Sequence, residues 1–148
     1  MAYTKTTWVD NNTPAINASN LNKMEQGIFD ATEVVGSFTP TVYSDSGTIT
    51  SHIASGIFTK IGRLVTVHIT VSITDAGTGV GSLNVGALPY TALTGRNYIG
   101  YGRVDVTTGK MCQGSLLSGG NSVAIKDYSN ATVIATNAII SFTVTYVA

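Results

Sequence analysis

Tyr90, Tyr98, Tyr101 and Tyr128 are interspersed with Arg96, Asn97, Arg103, Asp105 and Asp127 in the second half of this chain. A phenol ring covers the apolar face of a sugar, and amide, carboxylate and guanidinium groups fix the sugar hydroxyls. These residues are therefore candidates for a saccharide-binding surface. The competing role for each tyrosine is to fill a core or a subunit interface with its hydroxyl hydrogen-bonded.

Catalytic chemistry is less well supported. Glycoside hydrolysis needs two carboxyl groups at a fixed separation. The acids of the second region are Asp45, Asp75, Asp105 and Asp127, and no pair has a spacing that compels proximity. Turn chemistry accounts for Asp45, Asp75 and Asp127. The two histidines are His52 and His68, and His68 falls on the polar face of an alternating run, as a surface or interface histidine would. No Gly-x-Ser-x-Gly elbow occurs, although a triad can be assembled in space from distant residues. The glycines at 77, 79 and 81 lack the following Lys-Ser/Thr and helix of a phosphate-binding loop, and read as a flexible hairpin loop. No spacing suits a metal, and no cofactor is expected. The single cysteine, Cys112, reads as a small buried hydrophobe on a strand. Asn-x-Ser/Thr triplets begin at Asn11, Asn17 and Asn130, and arise easily in so Thr- and Asn-rich a chain.

Elements that position these groups follow from periodicity. Beyond Gly36 the period is two. In residues 63–73, Val65, Val67, Ile69, Val71 and Ile73 face one way and Leu64, Thr66, His68, Thr70 and Ser72 the other, which is a half-buried antiparallel strand. Ile140, Phe142, Val144 and Tyr146 repeat the pattern. Further strands are expected near residues 38–43, 47–51, 55–60, 82–86, 98–106, 110–117, 121–126 and 132–136. Hairpin turns are expected at residues 108–109 and 119–121. So many short strands predict a mainly β protein, with an antiparallel β-sandwich or jelly-roll head domain over residues 37–148.

Residues 1–36 differ in kind. An extended polar arm leads through Pro14, which keeps Thr13 out of the helical region, to a short helix capped by Asn17 or Asn20. Leu21, Met24, Ile28, Ala31 and Val35 recur at spacings of three and four, forming a heptad seam. Asn22, Lys23, Glu25, Gln26, Asp30 and Glu33 lie opposite, and Gly36 is expected to stop the helix. So short a helix cannot stand alone. It either packs on its own β body or is completed by copies of itself, and three copies give a homotrimeric stem. Trp8, the single tryptophan in a polar arm, suits an anchor in a neighbouring protein's pocket.

Composition narrows the partners. Charged residues are 11% of 148, and the formal net charge is zero. A sequence-independent nucleic-acid binder needs a Lys/Arg surplus, so no nucleic-acid partner is expected. The apolar runs are broken by Thr, so no membrane insertion is expected. The first residues, MAYTKTTWVDNN, contain no apolar h-region of a secretory leader.

The segment from Thr6 to Ile28 resembles the N-terminal segment of many bacteriophage tail and baseplate proteins. Trp8, Pro14, Ile16, Asn17, Ala18, Leu21, Asn22, Glu25, Gly27 and Ile28 occupy the recurring positions. Residues 36–42 (GSFTPTV), 56–67 (GIFTKIGRLVTV) and 86–90 (GALPY) resemble the head domain of phage tail fibres, with its G-x-[YF]-x-[KR]-x-G-x-x-V-x-[VI] strand pair followed by a GLP[FY] turn. The resemblance covers both halves of the chain in patches. It implies a receptor-binding virion protein whose arm, through Trp8, Pro14 and Ile16, docks on other virion proteins of the tail or baseplate. It further implies that the helices form a threefold bundle and that the head binds host cell-surface polysaccharide. The long shaft of many tail fibres has no counterpart here, which leaves a capsid fibre or decoration protein as an alternative mounting. A small carbohydrate-degrading tail enzyme and a cellular β-sandwich adhesin are the other readings.

Overall fold

The computed structural model describes residues 18–106 and 109–148. Trp8, Pro14, Ile16 and the Asn17 cap lie outside the described residues. The described chain has one helix, α1 (Ala18–Asp30), and nine strands: β1 (Glu33–Phe38), β2 (Thr41–Ser46), β3 (Ser51–Ile61), β4 (Leu64–Asp75), β5 (Val80–Gly86), β6 (Tyr98–Val104), β7 (Met111–Leu116), β8 (Val123–Asp127) and β9 (Ala138–Val147). All nine join one antiparallel sheet in the order β1-β3-β4-β9-β6-β7-β8-β5-β2. The sheet curls so that β1-β3-β4-β9 and β6-β7-β8-β5-β2 enclose a common core, a sandwich-like head as the alternation predicts.

The period-two pattern decides which side chains enter that core. Val65, Val67, Ile69, Val71 and Ile73 of β4 are buried, as are Ala138, Ile140, Phe142, Val144 and Tyr146 of β9. Leu83 and Val85 of β5, Cys112 and Leu116 of β7, and Val123 and Ile125 of β8 meet them from the other half. Each fully buried Val, Leu or Ile contributes about 1.5–3 kcal/mol relative to an exposed one. Tyr146 is fully buried, and its hydroxyl donates to the Tyr90 carbonyl at 2.9 Å. Burial pushes that phenol up to about 12.

Glycines let aromatic rings lie flat on the strands. At the junction of the halves, Gly100 pairs with Gly114 and Gly102 with Phe142. The Phe142 ring lies over all three glycines, and a Cβ on Gly114 would sit 2.6 Å from its tip. The same device recurs between β1 and β3, where Gly36 pairs with Phe58 and Phe38 with Gly56. A Cβ at Gly36 would meet the Phe58 ring at 2.7 Å. A strand glycine here marks close approach of a large neighbour rather than a turn.

Several expectations need correction. The helix stops at Asp30, not before Gly36. Thr32 donates its hydroxyl to the Ile28 carbonyl at 3.0 Å and closes the last turn. The β-branched residues that follow then favour a strand. Ala31 therefore lies in a turn, and Val35 pairs with Thr59 in the sheet, so neither continues the helical seam. Residue 36, expected to end the stem, lies inside β1. The strand expected near 38–43 is interrupted at Thr39-Pro40, where β1 ends and β2 begins. Residues 48–50 and 131–135 are irregular. Their apolar residues Ile49, Val133 and Ile134 are buried as loop plugs rather than strand members. The glycine-rich loop is not a hairpin, because β4 and β5 are not neighbours in the sheet. It crosses between the halves, held by Thr78 N–H to the Thr48 carbonyl at 3.0 Å and Gly77 N–H to Asp75 at 2.9 Å. The turn expected at residues 108–109 includes Thr108, outside the described residues, but β6 and β7 do pair as expected.

Gly114→Ala is expected to lower unfolding free energy by about 1–3 kcal/mol through overpacking. Phe142→Leu should recover part of that loss in the Gly114→Ala background, giving non-additivity in a double-mutant cycle by denaturant melts. Gly102→Ala should gain no such relief, because its added Cβ would collide with the Ser141 carbonyl of the backbone.

Candidate functional site

The outer face of β6-β7-β8-β5 carries a shallow trough of about 320 Å³, lined by Ile99, Gln113, Ser115, Ala124, Lys126 and Asn130 among others. Antiparallel register builds it. Directly opposed residues share a face, so one row runs Ile99, Ser115, Ala124, Asn84, Tyr43 across five strands. The adjacent row runs Tyr101, Gln113, Lys126, and continues the other way through Thr143 to His68. Tyr101 is 63% exposed beside the trough, and Tyr43 is 47% exposed at the far end of the first row. The Gln113 amide donates to the Asn130 carbonyl oxygen at 3.3 Å. This leaves the other amide groups of the pair able to bond a ligand. Below the rows, Asp45 accepts from the Ser82 N–H at 2.7 Å and from the Asn84 amide at 2.8 Å. These donors hold its carboxyl below the usual range, the Ser82 backbone contributing most.

The sequence-nominated residues divide between faces and roles. Tyr101 and Tyr128 are exposed. Tyr98 stands on the inner face of the same strand as Tyr101, three residues away, with its ring edge-on to Tyr146 at 6.1 Å. Tyr90 packs edge-on against Phe58 at 5.6 Å, and the Lys60 ammonium sits 5.3 Å from its ring centre. Tyr90 and Tyr98 thus serve packing. Asn97 accepts from the Ser118 N–H at 2.9 Å and braces a loop, and Arg96 lies exposed on that loop. Arg103 and Asp105 form an exposed ion pair at 3.8 Å, and Asp105 also accepts from the Ser141 hydroxyl at 2.7 Å.

Asp127 is a structural residue. It is 3% exposed and accepts from the Ser129 hydroxyl at 2.7 Å and N–H at 2.9 Å, the Ala131 N–H at 2.8 Å and the Lys110 ammonium at 3.0 Å. These donors, the Ser129 hydroxyl foremost, hold its carboxyl far below the ordinary range. One carboxylate oxygen is engaged by the loop it closes and the other by Lys110. Cys112 is fully buried, and burial, reinforced by the Asp105 charge, pushes its thiol up to about 11. That suits a packing residue, since the thiolate is the reactive form. Among the described residues no cluster of His, Cys, Asp and Glu could hold a metal ion.

Gln113, Lys126, Asn130 and Tyr43 were not nominated by the sequence. The available signal was alternation: Gln113 and Ser115 in β7, and Ala124 and Lys126 in β8, fall opposite the buried residues of those strands.

No protein-family model and no curated protein matches the chain. Its fold is similar to part of the Dettilon tailspike protein (gp208), with a TM-score of 0.57 at 20% identity over 78% of this chain. The match spans 23% of the tailspike chain, so this chain corresponds to less than a quarter of that protein. No helix among the described residues is long and apolar enough to cross a membrane.

Because Asp127 has a lower pKa folded than unfolded, it stabilises the fold fully above about pH 5, where the unfolded carboxyl is also ionised. The contribution is lost as pH falls toward the folded-state value. Asp127→Asn should lower the melting temperature by several degrees at pH 7, with a smaller deficit at pH 3, read by thermal melts across pH.

Proposed function

We propose that this chain is a bacteriophage virion protein, a homotrimeric receptor-binding protein of the tail fibre or baseplate type. Its β head binds a saccharide of the host surface in the trough on β6-β7-β8. The observation that carries the reading is the juxtaposition of an exposed aromatic ring, an apolar floor of Ile99 and Ala124, and the Gln113–Asn130 amide pair. Tyr101 and the apolar floor suit the hydrophobic face of a pyranose, and the amides suit its hydroxyls. The likeness of the fold to a tailspike supports the virion setting, as do the arm and strand motifs in the sequence. Trp8, Pro14 and Ile16 would dock the arm on other virion proteins.

Two carboxylates of the head, Asp45 and Asp127, are engaged by backbone N–H groups and neighbouring side chains rather than poised for hydrolysis. A glycosidase needs an acid held protonated, with its pKa raised. Asp45 and Asp127 are both shifted the other way.

The stem supports association. Helix α1 buries none of its residues against the β body. Leu21, Met24 and Ile28 lie on one side at 51%, 41% and 69% exposure, and Phe29, at the edge of that stripe, is 74% exposed. Bundling with two further copies would cover such a stripe. A shallow site makes few contacts, and three linked copies would raise avidity without new contacts.

On a surface-glycan array, the intact chain is expected to bind a defined set of saccharides, and Tyr101→Ala or Gln113→Ala should weaken binding at least tenfold with the melting temperature little changed. Binding that survives both substitutions would move the site elsewhere. In solution the protein should have three times the chain mass by light scattering, and Met24→Glu with Ile28→Glu should yield single chains. A wild-type protein of single-chain mass would refute the stem.

A further inference from the structure

Lys126 is the one ionisable side chain lining the trough among the described residues. It stands on β8, directly opposite Gln113 and on the same strand face as Ala124. It forms no ion pair among the described residues, whereas Lys110 is engaged by Asp127 at 3.0 Å and Arg103 by Asp105 at 3.8 Å. The nearby acid, Asp45, forms no ion pair with Lys126, and its oxygens accept from the Ser82 N–H and the Asn84 amide. Lys126 is partly buried. A cation in a half-apolar recess interacts with an anion more strongly than one in open water, and pays part of its desolvation before any ligand arrives. Electrostatic complementarity of this kind selects among ligands of the same shape.

From this we infer that the trough selects a saccharide bearing an anionic group, a carboxylate or a phosphate, which lies against the Lys126 ammonium while the sugar ring rests on Ile99 and Ala124. The inference rests on the saccharide reading of the trough and adds the charge of its ligand. The Gln113–Asn130 amide pair beside Lys126 supplies donors to the hydroxyls next to the anionic group. Selectivity comes from the charge, because the remaining lining is neutral.

The test uses the intact protein and three oligosaccharides of one backbone: a hexuronate trisaccharide, its neutral methyl ester, and the corresponding hexose trisaccharide carrying a 6-phosphate. Binding is measured by calorimetry at low and at physiological salt. At least one acidic form should bind tenfold or more tighter than the methyl ester, and the preferred one identifies carboxylate or phosphate as the group recognised. Added salt should narrow the difference. Lys126→Gln should bring acid and ester within about threefold of each other, and Lys126→Arg should restore the preference. Equal binding of acidic and neutral forms by the wild type would overturn the charge inference and leave the saccharide site standing. Retained acid preference in Lys126→Gln would overturn it by placing the selecting cation elsewhere. Binding of none of the three would overturn the inference and count against the saccharide reading as well.

Discussion

The head depends on the contact between one aromatic ring and a floor of glycines. Phe142 projects from β9 into the core at the junction where the sheet passes from one half to the other, over Gly100, Gly102 and Gly114. Side chains on Gly100 and Gly114 would occupy the volume of the ring, and one on Gly102 would collide with the Ser141 carbonyl and the Phe142 backbone. Without them the ring seals the junction between the halves, and the buried residues of β4 and β9 face those of β5, β7 and β8 across a continuous core. Interiors are packed closely enough that such a fit cannot be loosened by a methyl group without cost. The trough follows from the same arrangement, since Gln113 and Ser115 flank Gly114 on the opposite face of β7.

Alternation was a reliable guide wherever one side of a strand is buried and the other is not. The faces of β4 and β9 could be assigned residue by residue, because a shift by one position would turn every valine to solvent. It misled where apolar residues are buried without belonging to a strand. Val133 and Ile134 look like a strand in one dimension, but they plug the core from a loop. The helical spacing also ran on past the true end of α1. Three- and four-residue intervals persisted to Val35, while Thr32, Val34 and Val35 had begun to favour the extended state. Pairing of Val35 with Thr59, which decides the matter, is a long-range contact that the local pattern does not contain.

The candidate site was less readable than the fold. The pattern of aromatics near polar residues contains Tyr101 but also Tyr90 and Tyr98, whose rings pack against Phe58 and Tyr146. Tyr98 and Tyr101 lie three apart on one strand, which sends them to opposite faces. Asp127 fits both a ligand contact and turn chemistry in the sequence, and in the structure it closes its own loop. Gln113, Lys126 and Asn130 are not legible in the sequence because they converge only through the register of β7 with β8 and the loop that follows. The motif residues Phe58, Lys60 and Tyr90 form a packed cluster. Their recurrence in the strand pattern therefore reports on architecture, whereas the proposed ligand contacts fall outside it.

The proposed recognition surface is one face of the head. Hydrogen exchange of the intact protein, with and without polysaccharide from a susceptible host envelope, localises that contact. Slowed exchange confined to peptides spanning β6, β7, β8 and the Asn130 loop is the predicted outcome. Protection confined to β1, β3 and β4, with the trough strands unchanged, would contradict it.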